Sequence, residues 1–197
     1  MKRRIALAAG AAACLLAACG KKEESGEASG QSAAAGSVPV SLEKIASDGK
    51  GFNVGSTMSA RVVYVFFDAQ CPHCAAEWEA AKPLKSQARF VWLPVGLMGD
   101  RSVAQGAAIL NAADPVAAME QNEASVRDHT GGISAMGVPD AQIQAVKANT
   151  QLFTAFGFNG VPTIVGKHAV TGEVVTIDGE LGTQGLAQRL GLSAPAS

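Results

Sequence analysis

The stretch Arg61-Val-Val-Tyr-Val-Phe-Phe-Asp-Ala-Gln-Cys71-Pro-His-Cys74 sets a run of β-branched and aromatic residues directly before two cysteines spaced by two residues. A run of that length and composition predicts a buried β-strand over residues 61–67. The alanine-rich stretch opened by Cys71 predicts a helix. Pro72 suits its first turn, because the donor that proline lacks would be unsatisfied there in any case. A second run, Phe90-Val-Trp-Leu-Pro-Val95, predicts another buried strand. Strand, helix and strand within about 35 residues make a βαβ unit with a parallel pair.

Outward from this unit the pattern changes. Residues 102–158 predict a helical block. Residues 102–112 are rich in alanine, Asp114-Pro115 supplies an N-cap followed by proline at the first helical position, and Pro139-Asp140 marks a further helix start. Ile143, Val146, Asn149, Phe153 and Phe156 recur every three or four residues and form a mostly apolar stripe on one helical face. Gly131-Gly132 and Gly137 divide the block. Residues 161–165 and 173–177 predict two short strands around a Thr171-Gly172 turn, and residues 184–190 a last helix. The expected fold class is α/β, one domain over about residues 38–197, with no internal repeat. Residues 41–50 predict a connecting helix within a linker covering 38–60.

The cysteine count sharpens the chemistry. Of four cysteines, Cys14 and Cys19 lie in the N-terminal region, so the folded part holds only Cys71 and Cys74. A helix N-terminus stabilises an anion, which predicts a low-pKa thiolate at Cys71, the form that attacks disulfides. Cys74, one turn on and on the same face, is placed to resolve the mixed disulfide that results. His73, when protonated, adds positive charge beside the thiolate and makes the disulfide more oxidising; otherwise it is a solvated residue of the helix start. A structural bridge is the weaker reading, since this pair closes almost no loop. Zinc would need about four ligands, and beyond the pair only His73, His129 and His168 are on offer. Haem attachment fails because Ala75, not histidine, follows Cys74. No metal and no other cofactor are expected beyond a redox-active Cys71–Cys74 disulfide. Asp68 is either a proton acceptor for Cys74 or a polar residue ending the strand. Trp78 and Phe67 read as core.

The first residues read as an address. Lys2-Arg3-Arg4 form a positive n-region, and residues 5–18 a short apolar region ending in small residues, a signal peptide over 1–18. Leu16-Ala17-Ala18-Cys19 resembles the lipobox of bacterial lipoproteins, in which cleavage before the cysteine exposes it for lipidation; an ordinary secretory signal is the alternative. Gly20 rather than aspartate at the next position points, by resemblance to lipoprotein sorting, to the outer membrane. Residues 19–37 then give a lipidated Cys19 and a flexible tether of Lys, Glu, Ser, Gly, Ala and Gln, with a reach of roughly 25 Å. Loss of Lys2, Arg3 and Arg4 takes Lys plus Arg from 16 to 13 against 17 acidic residues, a net of about −4, which excludes a nucleic-acid partner.

Together, Phe67-Asp-Ala-Gln-Cys-Pro-His-Cys-Ala-Ala-Glu-Trp78 and Gly160-Val-Pro-Thr163 resemble the Dsb-type thioredoxin-like proteins, and Asp68, Trp78 and Lys82-Pro83 their DsbC/DsbG branch. Ala107-Ala-Ile-Leu-Asn-Ala-Ala-Asp-Pro115 is similar to that branch's helical segment. The resemblance implies a thioredoxin-like domain over 61–197 with a helical insert at about 102–158, and catalytic roles for Cys71, Pro72, His73, Cys74 and Pro162. It implies that Pro162 follows a cis bond and packs against the dithiol, with Val161 and Thr163 binding substrate, although a trans bond is the ordinary expectation. Two departures stand out. Residues 38–60 hold at most a remnant of the branch's dimerisation domain, so a monomer is expected. Pro72-His73 and Val161 match the oxidase DsbA, where the isomerases tend to have threonine before the proline.

The expected function is that of an exported thiol:disulfide oxidoreductase, acting as oxidase or isomerase on cysteine-containing exported proteins in the periplasm. It is expected to be held to the membrane through Cys19 and served by a DsbB-like or DsbD-like membrane partner. The alternatives are a reductase fed by a membrane electron donor, and a chaperone or metallochaperone module that binds without exchanging.

Overall fold

The computed structural model describes residues 37–195. The expected signal peptide (1–18), Cys14, the expected lipidation site Cys19 and nearly all of the expected tether lie outside these residues.

Strand β1 (Phe52–Gly55) follows a short helix α1 (Leu42–Asp48), and β2 (Val62–Asp68) leads into the dithiol helix α2 (Pro72–Ala81). After a 3-10 turn, β3 (Arg89–Val95) precedes three helices, α3 (Asp100–Asn111), α4 (Pro115–Arg127) and α5 (Asp140–Ala155). Strands β4 (Thr163–Lys167) and β5 (Val174–Asp178) and helix α6 (Thr183–Leu190) finish the fold. The sheet order is β1-β3-β2-β4-β5. Only β2 and β3 are parallel, in the register Val62↔Arg89 through Asp68↔Val95, as the βαβ reading requires. Strand β4 pairs antiparallel with β2 and β5 antiparallel with β4, closing the expected hairpin.

The unbroken apolar character of β2 has a simple cause. Successive side chains of a strand point to opposite faces, and here both faces are covered. Val63, Val65 and Phe67 join a core with Trp78, Leu84, Phe90, Trp92, Ile164, Leu186 and Leu190, under α2 and α6. Tyr64 and Phe66 face a second core with Ile45, Leu93, Leu152, Phe153 and Val165, under α1 and α5. Each fully buried aliphatic or aromatic side chain of this kind contributes on the order of 2 kcal/mol.

The helical block starts as the capping residues dictate. The Asp114 carboxylate accepts hydrogen bonds from the backbone N–H groups of Val116 and Ala117, and Pro115 occupies the first turn of α4. The polar member of the α5 stripe, Asn149, is fully buried and satisfied. Its Nδ2 donates to the carbonyls of Lys50 at 2.7 Å and Pro94 at 3.0 Å, and its Oδ1 accepts from Lys50 N at 2.8 Å. Asn149 thereby stitches the insert to the sheet.

One correction concerns residues 38–60. The expected helix is present as α1, but the remainder is more than a linker, because β1 pairs antiparallel with β3 (Phe52↔Trp92 to Gly55↔Arg89) and forms an edge of the sheet. Four residues, of which only Phe52 is buried, are too few to show an alternating pattern. The other difference is at β4, which begins at Thr163 rather than at 161, since Pro162 has no N–H to give a ladder; the Val161–Pro162 peptide bond is cis. Among the described residues no helix is long and apolar enough to cross a membrane.

Candidate active site

The dithiol sits where β2 ends and α2 begins. Cys71 is the N-cap of α2 with extended backbone (φ −89°, ψ 115°), and Pro72 occupies the first turn. The carbonyl of Cys71 accepts from the N–H groups of Cys74 (3.0 Å) and Ala75 (3.2 Å), which fixes both thiols on one side of the first turn. Both cysteines are free thiols. Both are buried, Cys71 (5 % exposed) being the more accessible and Cys74 wholly enclosed. The covering comes from the loop before β4. The Cys71 sulfur lies 3.6 Å from the carbonyl oxygen of Val161, whose bond to Pro162 is cis.

These surroundings pull the two thiols apart in acidity. The Cys71 pKa is lowered to about 6, first by the hydrogen bond it receives from the Cys74 thiol, then by the backbone N–H groups of Cys74 and His73 and the charge of His73, with burial opposing. The Cys74 pKa is raised well above the usual thiol range, chiefly by burial and then by its hydrogen bond to Cys71 and the charge of Cys71. One thiolate and one protonated thiol is the arrangement that stepwise exchange needs. Because the folded-state value lies below the ordinary one, Cys71 reactivity is present above about pH 6 and is lost as the pH falls through that value. Alkylation of the reduced protein by iodoacetamide should therefore reach half its plateau rate near pH 6. A half-point in the ordinary cysteine range of roughly 8 to 9 would remove the activated thiolate.

The remaining expected residues are placed as follows. His73 is exposed, and its Nδ1 lies 3.1 Å from Glu180 Oε2, in the loop between β5 and α6. That loop also bonds Gly179 N to the Pro162 carbonyl (2.9 Å) and Leu181 N to Glu77 Oε2 (2.8 Å), so it touches both halves of the site. Thr163, expected to bind substrate beside Val161, is buried in β4 and its hydroxyl donates to the Gly160 carbonyl at 2.6 Å. That corrects its role to one of closing the turn that carries Pro162. Asp68 is also resolved. Its carboxylate is fully buried and accepts from the N–H groups of Gln70 (2.9 Å), Leu97 (2.7 Å) and Met98 (3.0 Å), so it ends the strand and anchors the β3–α3 loop.

A polar network missed by the sequence reading holds the insert against the dithiol turn. Asn122 of α4 donates to the Ala69 carbonyl (2.8 Å) and accepts from Ile133 N (3.1 Å). Gln105 of α3 donates to the Gly131 and Ile133 carbonyls at 2.8 Å each, and Gln70 bonds to Gln105 and to the Gly131 carbonyl. Gly132 sits at φ +84°, where a Cβ would come within 2.6–2.9 Å of Gln105, Asn122 and Gln70. Only glycine fits there.

Two buried acids were also missed. Burial raises the carboxyl of Glu77 to about 7 and that of Glu123 to about 8, the latter further pushed up by the charges of Cys71 and Asp68. A signal for Glu123 does exist in the sequence, since Met119, Glu123 and Val126 recur at helical spacing and share one buried face. Among the described residues no cluster of three or more His, Cys, Asp or Glu is placed to hold a metal ion.

Comparison with known proteins agrees with this chemistry. The chain is 32% identical over 114 residues to the thiol:disulfide interchange protein DsbG of Pseudomonas aeruginosa, covering 56% of this chain and 43% of that protein. It is 34% identical over 109 residues to DsbG of Escherichia coli strain K12, covering 52% and 42%. The matched part thus spans less than half the length of these curated relatives. Among solved structures, the catalytic domain of Proteus mirabilis ScsC superposes with a TM-score of 0.60 at 18% identity, over 76% of this chain and 96% of that one. No protein-family model matches the chain. The fold is therefore thioredoxin-like α/β, and about half of the chain is similar in sequence to the Dsb-type thiol:disulfide interchange proteins.

Proposed function

We propose that the protein is an exported thiol:disulfide oxidoreductase that exchanges disulfides with cysteine-containing proteins through Cys71 and Cys74. The observation that carries this reading is the split acidity of the pair, an activated Cys71 beside the Val161 carbonyl and a buried, protonated Cys74. Thiolate Cys71 attacks a substrate disulfide, or its own disulfide with Cys74 is attacked by a substrate thiolate; in either direction Cys74 closes or opens the internal bond. The exposed Leu97, Met98 and Met136 give the chain apolar surface for unfolded clients.

The low Cys71 pKa favours the oxidising direction, because stabilising the thiolate stabilises the reduced form and makes the disulfide easier to donate. The signal-like residues 1–18 and Cys19 support export and a lipid anchor facing the periplasm, at the outer membrane. A DsbB-like membrane partner would reoxidise the pair. The similarity to DsbG favours a second reading, that of an isomerase or reductase kept reduced by a DsbD-like donor.

Equilibration against glutathione, read by thiol alkylation and mass, separates these directions. A potential above about −180 mV is expected and marks a disulfide donor, whereas one below roughly −230 mV marks a reductant. A pair that never equilibrates would be structural, and the proposal would fall.

A further inference from the structure

A polar hollow of about 400 Å³ opens beside the dithiol turn, between the first turns of α3 and the loop that follows α4. Buried Gln105 lines its inner side, and Arg101 and residues 130–135 form its rim. The hollow lies close to the redox sulfur. Gln70, the residue before Cys71, donates from Nε2 to the Gly131 carbonyl at 3.0 Å and also bonds to Gln105. One Cα–Cα step of about 3.8 Å and one glutamine side chain therefore separate Cys71 from the rim, roughly 10 Å in all.

The hydrogen bonding of this rim is one-sided. The carbonyls of Gly131 and Ile133 each accept from Gln105 at 2.8 Å, and that of Gly132 accepts from the Ser125 hydroxyl at 3.4 Å. By contrast, the N–H groups of Gly131, Ser134 and Ala135 have no partner among the described residues. The Arg101 guanidinium has none either, although Asp100 is its neighbour in the chain. Its Nη1 lies 3.4 Å from where a Cβ on Gly131 would stand, so the glycine leaves the cation room over the loop. Acceptors are occupied while donors are left over, and a permanent positive charge stands among them. Backbone amides and a cation gathered in one concavity suit an anion, and the planar fork of arginine matches a carboxylate.

We propose that this hollow is a carboxylate subsite of the exchange site, in which Arg101 takes an acid carried by the thiol or disulfide substrate. The proposal deepens the exchange reading above and rests on it. A chain advancing about 3.3–3.6 Å per residue covers the distance from Cys71 in about three residues. A client with Asp or Glu two or three residues from its cysteine can therefore set its sulfur on Cys71 while its carboxylate meets Arg101. A small peptide thiol such as glutathione carries the same group. The subsite takes no part in the electron transfer itself. It holds acidic substrates at the sulfur and so selects which disulfides are exchanged.

The test uses the reduced full chain and cysteine peptides presented as symmetric disulfides, identical except for Glu, Gln or Lys two residues from the cysteine. The reaction is followed by acid quench and mass. The wild-type protein should prefer the Glu peptide to the Gln peptide about tenfold in kcat/KM, the low end for a hydrogen bond to a charged group. High salt should shrink that preference. Arg101→Gln should bring the ratio to about one, Arg101→Lys should keep part of it, and Arg101→Glu should reverse it in favour of the Lys peptide. Oxidised glutathione is the second arm. A rate loss in Arg101→Gln confined to glutathione, with no preference among the peptides, would name the small thiol as the source of the carboxylate. A Glu preference that survives Arg101→Gln, or its absence together with an unchanged glutathione rate, overturns the proposal. Equal slowing of every substrate also overturns it, since that marks a structural role for Arg101. A wild-type protein that reacts with none of these disulfides would instead defeat the exchange reading, and the subsite with it.

Discussion

Replacing Cys71 with serine is expected to reduce disulfide exchange by at least about a thousandfold, to the background of the free thiols in the assay, as when other enzymes lose a covalent nucleophile. A serine hydroxyl at the head of α2 cannot become an anion near neutral pH, so the hydrogen bond from Cys74 and the N–H groups of Cys74 and His73 would have no charge to stabilise. The partner substitution Cys74→Ser should behave differently. The serine hydroxyl can still donate to the Cys71 sulfur, so Cys71 remains nucleophilic, but nothing resolves the adduct. Mixed disulfides with exported proteins should then accumulate and be recovered on non-reducing gels. Turnover that survived Cys71→Ser would refute the exchange reading in favour of a binding module, whose client affinity the substitution would leave intact.

Trp92→Ala is expected to lower stability by about 3–5 kcal/mol, a large share of the roughly 5–15 kcal/mol available to a domain. Trp92 is completely buried in β3, edge-on to Trp78 at 4.9 Å and to Phe67 at 5.7 Å between ring centroids. It forms part of the floor on which the dithiol helix rests, so its removal leaves a cavity under α2 that neither strand nor helix can close. Trp92→Phe should cost far less, about 1–2 kcal/mol, since it keeps an aromatic ring and deletes an indole N–H that has no partner among the described residues. Urea unfolding midpoints, with unchanged slopes, check both values. A loss below about 1 kcal/mol for the alanine variant would mean that this ring does not bear on the core.

The sheet and the insert were legible because their signals are local. Six of the seven residues of β2 carry apolar or aromatic side chains to two covered faces, and Asp114-Pro115 states the start of α4 in two residues. What escaped notice depends on chain returning from far away. Asp68 looks like a free acid until residues 97 and 98 fold back onto it, and nothing near Cys71 in the chain announces that the Val161 carbonyl, 90 residues on, lies against its sulfur. Thr163 next to the proline invites a substrate role that its position inside β4 denies. Glu77 lies in the alanine-rich α2 beside the exposed Glu79, and Glu123 lies in a helix rich in polar residues, so each acid reads as solvated face. Only the burial of their neighbours along the same stripe distinguishes them. Strand β1 was missed for the opposite reason, being too short to carry a pattern.

The sheet order places β3 and β4 on either side of β2, so the whole helical block is one long crossover loop between two strands of one sheet. The entropy of closing such a loop grows only with the logarithm of its length, about 0.6 kcal/mol for each doubling. Evolution can therefore lengthen, shorten or exchange the segment above the dithiol almost free of thermodynamic penalty. The constraint falls instead on a few fastening points, Asn149 on the sheet and Asn122 and Gln105 on the turn. Diversity in what such proteins grip can accumulate in the loop while the sulfur chemistry beneath it stays fixed.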